Sequence, residues 1–175
     1  MHNESFAGQD EFAAELCDLE ATRAFGHRLG QLLFPGAVVA LIGHLGAGKT
    51  QLVRAVAEGL GIKDSRSVSS PTFVLIQEYQ AHLPIYHFDA YRLLSEHAFR
   101  DLGVHEYFAG DGVCLVEWAD KVADSLPAER LDITLEVTGE TSRRVRIRAR
   151  GEKYLQLASQ LCSDPGHAAS SCGNT

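Results

Sequence analysis

Gly43-His44-Leu45-Gly46-Ala47-Gly48-Lys49-Thr50 matches the spacing G-x-x-x-x-G-K-[ST] at every fixed position. The residue types dictate the chemistry. Glycine lets the backbone turn so that successive N–H groups face one anion. A lysine ammonium is a point charge for the outer phosphates of a nucleotide, and a threonine hydroxyl is a ligand for the magnesium ion that travels with them. Two carboxylates stand where such a site needs acids. Asp89 follows Ile85-Tyr86-His87-Phe88, and Glu117 follows Val113-Cys114-Leu115-Val116. An acid at the C-terminal end of a buried strand is where magnesium-linked carboxylates sit in phosphate-loop proteins. A single Asp after a strand is ordinarily a turn residue, but two acids together with a phosphate loop make a plausible site. Trp118, the only tryptophan, follows Glu117 directly; by itself it reads as a filler of core or rim space. The polar stretch 63–72 is either a plain surface connection or a loop that reaches the terminal phosphate, and its composition does not choose between them.

The elements needed to position these groups are legible around them. Ala37-Val38-Val39-Ala40-Leu41-Ile42 is a short apolar run that suits a strand buried on both faces. After the loop, Leu52, Val53, Val56, Ala57 and Leu60 recur at helical spacing, with Gly61 as a stop. Strand, glycine loop and helix thus come in the order the motif requires, and the helix start adds its partial positive charge to the site. Upstream, Asp18 can cap a helix to about Leu33, with Leu19, Leu29, Leu32 and Leu33 on its apolar side. Downstream, residues 73–79 and 85–88 read as two strands joined around His82-Leu83-Pro84. Ser95 opens a helix to about Leu102, which Gly103 ends. Residues 131–137 and 143–150 alternate cleanly and form a hairpin around Thr138-Gly139-Glu140. In its second strand Val145, Ile147 and Ala149 face one side and Arg144, Arg146, Arg148 and Arg150 the other. That arginine stripe is read first as an edge strand kept soluble by charge, and second as a dock for RNA or an acidic partner. A last helix is expected from about Lys153 to Leu161.

The chain of 175 residues, 45% hydrophobic, suffices for one domain with a real core. That domain is expected over 1–162, with 1–16 loosely held and 163–175 a disordered tail. A formal charge of -7 argues against nucleic-acid binding by bulk electrostatics. There is no apolar stretch of membrane-spanning length and no charged-then-apolar leader, and Cys17, Cys114, Cys162 and Cys172 are scattered without a C-x-x-C pair. The expectation is a cytoplasmic protein with reduced thiols and no metal cluster.

Four blocks give the chain a specific resemblance: Leu45-Gly46-Ala47-Gly48-Lys49-Thr50, Ser70-Pro71-Thr72, Tyr86-His87-Phe88-Asp89-Ala90-Tyr91-Arg92 and Leu115-Val116-Glu117-Trp118. In order and spacing they resemble the TsaE (YjeE) family, small bacterial ATPases needed for threonylcarbamoyladenosine in tRNA. The resemblance implies a three-layer α/β phosphate-loop NTPase fold, mostly parallel with additional antiparallel strands. It implies slow magnesium-dependent hydrolysis of ATP and a working complex with the TsaB and TsaD proteins. It also implies roles. Gly46, Ala47, Gly48, Lys49, Thr50 and Gln51 would bind the nucleotide phosphates, and Thr50 and Glu117 the magnesium. Asp89 would organise the metal and its waters, and Thr72 would sense the terminal phosphate. Trp118 would support the same region, with Asp18 and Arg143 near the base. Two positions depart from the family pattern: His44 stands where an acid is usual, and Ala90 where leucine is common. Two other classes share the loop. A small-molecule or nucleoside kinase would need an acceptor pocket and an arginine-bearing lid, and no clear lid segment is visible. A nucleotide-gated binding module would hydrolyse only incidentally.

Overall fold

The computed structural model describes residues 10–163. Its centre is β2 (Val38–Ile42), which pairs in parallel with β5 (Val113–Glu117) on one side and β6 (Arg130–Val137) on the other. β4 (Ile85–Asp89) adds in parallel beyond β5, and β3 (Ile76–Tyr79) closes that edge antiparallel. On the other side β7 (Arg143–Arg150) returns antiparallel along β6, and β1 (Glu11–Leu16) pairs antiparallel with β7. The seven strands form one sheet in the order β1-β7-β6-β2-β5-β4-β3.

Helices cover both faces, and the alternation along β2 shows why. Val39 and Leu41 face a core shared with α1 (Leu19–Leu32), α2 (Lys49–Gly59) and α5 (Glu152–Cys162). Val38 and Ala40 face a smaller core with α3 (Glu96–Arg100) and α4 (Val104–Phe108). A strand buried on both sides reads as a continuous apolar run because neither face meets water. The result is the expected three-layer α/β arrangement. Burial is deep enough on β5 to push the Cys114 thiol up to about 12. α1 and α2 cross very closely. A Cβ at Gly30 would meet the Val56 carbonyl oxygen at 2.2 Å, and one at Gly59 the His27 carbonyl oxygen at 2.1 Å. Only glycine permits that approach.

Several expectations are corrected. Residues 11–16 are not loose: Phe12, Ala14 and Leu16 turn inward along β1, and Glu11 and Glu15 outward. The segment lacks β-branched residues, so propensity hid a strand that tertiary pairing imposes. β7 is therefore an interior strand, and its arginines stand beside acids. Arg144 pairs with Glu15, Arg146 with Glu136 at 3.0 Å, Arg150 with Asp132 at 2.6 Å, and Arg148 reaches Glu11 at 4.0 Å. β3 starts at Ile76, not Phe73, because 71–75 turns back on itself: the Val74 and Leu75 N–H groups both donate to the Pro71 carbonyl. The helix expected from Ser95 to Leu102 is α3, capped by Ser95 and ending at Arg100; a second short helix that was not expected, α4, follows Gly103 at φ +74°. Cys17 is disulfide-bonded, against the expectation of reduced thiols, whereas Cys114 and Cys162 are free. Apart from Ser163, which ends α5, the expected tail lies outside the described residues. Among the described residues no helix is long and apolar enough to cross a membrane.

Candidate active site

The site forms where β2, β4 and β5 end together. The turn after β2 carries Gly43 at φ +154°, Gly46 at +79° and Gly48 at +105°, and Gly48 leads into α2. Two of these values lie well inside the region that L side chains avoid, which is why glycine stands there. Lys49 and Thr50 form the first turn of α2, where backbone N–H groups lack helical partners and favour an anion.

Lys49 is 4% exposed, and its ammonium donates to the carbonyls of Gly43 at 2.7 Å and His44 at 2.9 Å. The same nitrogen lies 3.7 Å from the centre of the Trp118 ring. Burial lowers its pKa, while Glu117, Asp120 and Asp89 pull the other way. Trp118 gets over the lysine because the chain turns sharply after β5, with Trp118 itself at φ +59°. Tyr91 packs against the indole at 4.8 Å between centroids.

Asp89 and Glu117 are register partners across the parallel β4–β5 pair, so their side chains emerge side by side. Both are 2% exposed. The Thr50 hydroxyl lies 2.8 Å and 3.0 Å from the two Glu117 carboxylate oxygens, and His87 Nε2 lies 2.8 Å from Oε1. Asp89 anchors the loop that precedes β3. Its Oδ2 accepts from the Ser70 hydroxyl and, at 2.8 Å, from Thr72; its Oδ1 accepts from the Tyr91 N–H at 2.8 Å. The polar stretch 63–72 thus does reach the loop-and-acid cluster. It is tied back to α2 by Arg54, whose Nε donates to the Val68 carbonyl at 2.7 Å.

These groups line one open cleft of about 460 Å³, walled by Gly46, Gly48, Lys49, Thr50 and Gln51 on one side and by Ser70, Thr72, Asp89, Glu117 and Trp118 on the other. A smaller cleft of about 210 Å³ adjoins it, sharing Gly48 and Gln51 and adding Leu19, Thr22, Ala47 and Arg143. Arg143 fastens the β6–β7 hairpin to the glycine loop, donating to the Ala47 carbonyl at 2.9 Å. Asp18 is not among the residues lining either cleft; its carboxylate accepts from the Ala21 N–H and caps α1 beside Leu19. Thr50 and Glu117 offer hard oxygen donors a hydrogen bond apart, which fits magnesium. Two members of the resemblance blocks to which no role was assigned, Ser70 and His87, also join the site. The signal for His87 was present: at i−2 from Asp89 on one strand, it must point to the same face.

A family model described as "Threonylcarbamoyl adenosine biosynthesis protein TsaE" matches residues 16–145, most of the chain. The chain belongs to the TsaE family. A TsaE-family relative from Bacillus subtilis (strain 168), named tRNA threonylcarbamoyladenosine biosynthesis protein TsaE, is 46% identical over 143 residues, covering 81% of this chain and 88% of the relative. A protein of the same name from Treponema pallidum (strain Nichols) is 42% identical over 126 residues, covering 72% of this chain and 92% of the relative. The crystal structure of Bacillus subtilis YdiB superposes with a TM-score of 0.74 at 39% identity, covering 86% of this chain and 93% of that one. The TsaE fold therefore carries the glycine loop, both strand-end acids and the Ser70–Thr72 loop into one cleft.

Proposed function

We propose that this TsaE-family protein is a magnesium-dependent ATPase that supports threonylcarbamoyladenosine formation in tRNA, working in the cytoplasm with TsaB and TsaD. The observation that carries the reading is the convergence of Lys49, Thr50, Asp89 and Glu117 on one cleft at the start of α2. The ATP phosphates enter along the glycine loop. Lys49 exchanges its two carbonyl partners for phosphate oxygens, and the free N–H groups of the α2 start take the rest of the charge. Thr50 and Glu117 would hold the magnesium, which when bound would supply charge neutralisation for the phosphates. Asp89 orders Ser70 and Thr72 at the place where a terminal phosphate would lie. In such sites catalysis is positioning and charge stabilisation. Among the described residues lining the cleft none is an arginine, so besides Lys49 and the magnesium the site brings no further cation to the transition state, and slow hydrolysis by the isolated protein is expected.

The test is phosphate release from ATP by the protein alone and with TsaB and TsaD, across magnesium concentrations. The expected result is slow, magnesium-dependent release that the partners raise. Glu117→Gln keeps the side-chain shape and removes its charge, and should depress hydrolysis far more than metal-free nucleotide binding. Transfer of the phosphate to an added small-molecule acceptor, with no release to water, would make the protein a kinase instead.

A further inference from the structure

His87 is fully buried, and the ATPase reading gives it no role. Among the described residues its ring makes one hydrogen bond, to Glu117 Oε1 at 2.8 Å, and Nδ1 has no hydrogen-bond partner. Leaving a buried polar atom unpaired is costly, and an apolar side chain on the same strand would avoid that cost. The ring also has a definite tautomer. A carboxylate only accepts, so Nε2 carries the proton; a proton on Nδ1 would be a buried donor with nothing to bond and would aim the Nε2 lone pair at Glu117.

The two partners of the Glu117 carboxylate are not equivalent. The Thr50 hydroxyl is itself a candidate magnesium ligand, so metal entry must break the direct Thr50–Glu117 hydrogen bonds. His87 approaches from the buried strand β4 and can remain. It then keeps the carboxylate from swinging once Thr50 has turned away. Such outer partners typically change metal affinity by roughly 10–100-fold when removed.

We infer that His87 is the positioning residue for the Glu117 carboxylate, holding it through an Nε2–H bond in the orientation that receives the nucleotide-bound cation. This rests on the reading of Thr50 and Glu117 as the magnesium site. Two measurements test it. First, nitrogen-15 NMR of the histidine rings in metal-free protein should show His87 carrying a proton on Nε2; a bare Nε2 overturns the inference. Second, calorimetry of ATP binding with and without added magnesium is compared for the wild type, His87→Leu and His87→Gln. His87→Leu should weaken the magnesium contribution by about 10-fold or more while metal-free ATP binding stays within about 2-fold. His87→Gln keeps an amide N–H near the Nε2 position and should recover most of the difference. A magnesium contribution in His87→Leu equal to wild type overturns the inference alone. Wild-type ATP binding that does not respond to magnesium overturns the metal site as well.

Discussion

At the level of single residues, the charged groups of the site already have partners. The Lys49 ammonium has two carbonyls and an indole face, Glu117 has Thr50 and His87, and Asp89 has Ser70, Thr72 and the Tyr91 N–H. Ligand must therefore replace existing bonds, and the gain is the difference between old and new partners. On the ATPase reading the difference is large for Lys49, because neutral carbonyls would give way to phosphate charge in a buried place. Lys49→Ala should weaken ATP binding by at least ~10-fold with the far-ultraviolet circular dichroism unchanged. Calorimetry checks it, and undiminished binding would mean that the glycine loop is not the nucleotide site.

At the element scale, the ATPase reading makes the loop before β3 the piece that would report on nucleotide. It is clamped to Asp89 through Ser70 and Thr72, and it contains Leu75 at φ +68°, a strained value for a branched side chain. Phe73 and Val74 stand exposed on its outer side, 84% and 68% accessible. If Thr72 trades Asp89 for a terminal phosphate oxygen or a metal-bound water, the loop acquires a second arrangement that ATP favours and ADP does not. Thr72→Ala should bind ATP within about 3-fold of wild type yet lose ATP-dependent association with TsaB and TsaD or the stimulated hydrolysis. Pull-down and turnover with ATP and with ADP decide this; a variant that still tells the two nucleotides apart places the switch elsewhere. The α1–α2 crossing makes a separate prediction. Gly30→Ala drives a methyl into the Val56 carbonyl and should lower stability by about 1–3 kcal/mol, read from urea unfolding. A variant as stable as wild type would mean that the helices can separate freely.

At the scale of the whole molecule, β1 closes the sheet that the site is built on. It supplies Leu16, 1% exposed, to the main core and sets Glu11 and Glu15 opposite Arg148 and Arg144. Removing residues 1–16 would expose the β7 edge, leave two arginines without facing acids and lose the Leu16 burial, itself worth about 1.5–3 kcal/mol. The shortened protein should unfold at lower urea and scatter more light on standing. A truncated chain with unchanged unfolding would show that β1 adds nothing to stability. The pairing along β7 also bears on RNA. Arg144, Arg146 and Arg150 stand beside Glu15, Glu136 and Asp132, the last shared with Arg130, so acids offset much of the stripe's positive charge in a chain of net charge -7.

What the sequence determined by itself is the local chemistry and the family. A strand, a glycine turn and a helix start are contiguous in the chain, so the phosphate loop from Gly43 to Thr50 could be read whole, as could the α1 cap at Asp18 and the two acids at strand ends. Only the tertiary structure decided which groups meet across distance. Parallel pairing of β4 with β5 puts Asp89 beside Glu117 and swings His87 under the same carboxylate, because register between strands is fixed by packing and not by either strand alone. The strand character of 11–16 was likewise invisible, since Ala, Glu and Leu favour helices and only the open edge of β7 makes them extend. The same long-range pairing turned the arginine row from a free edge into an interior strand flanked by acids.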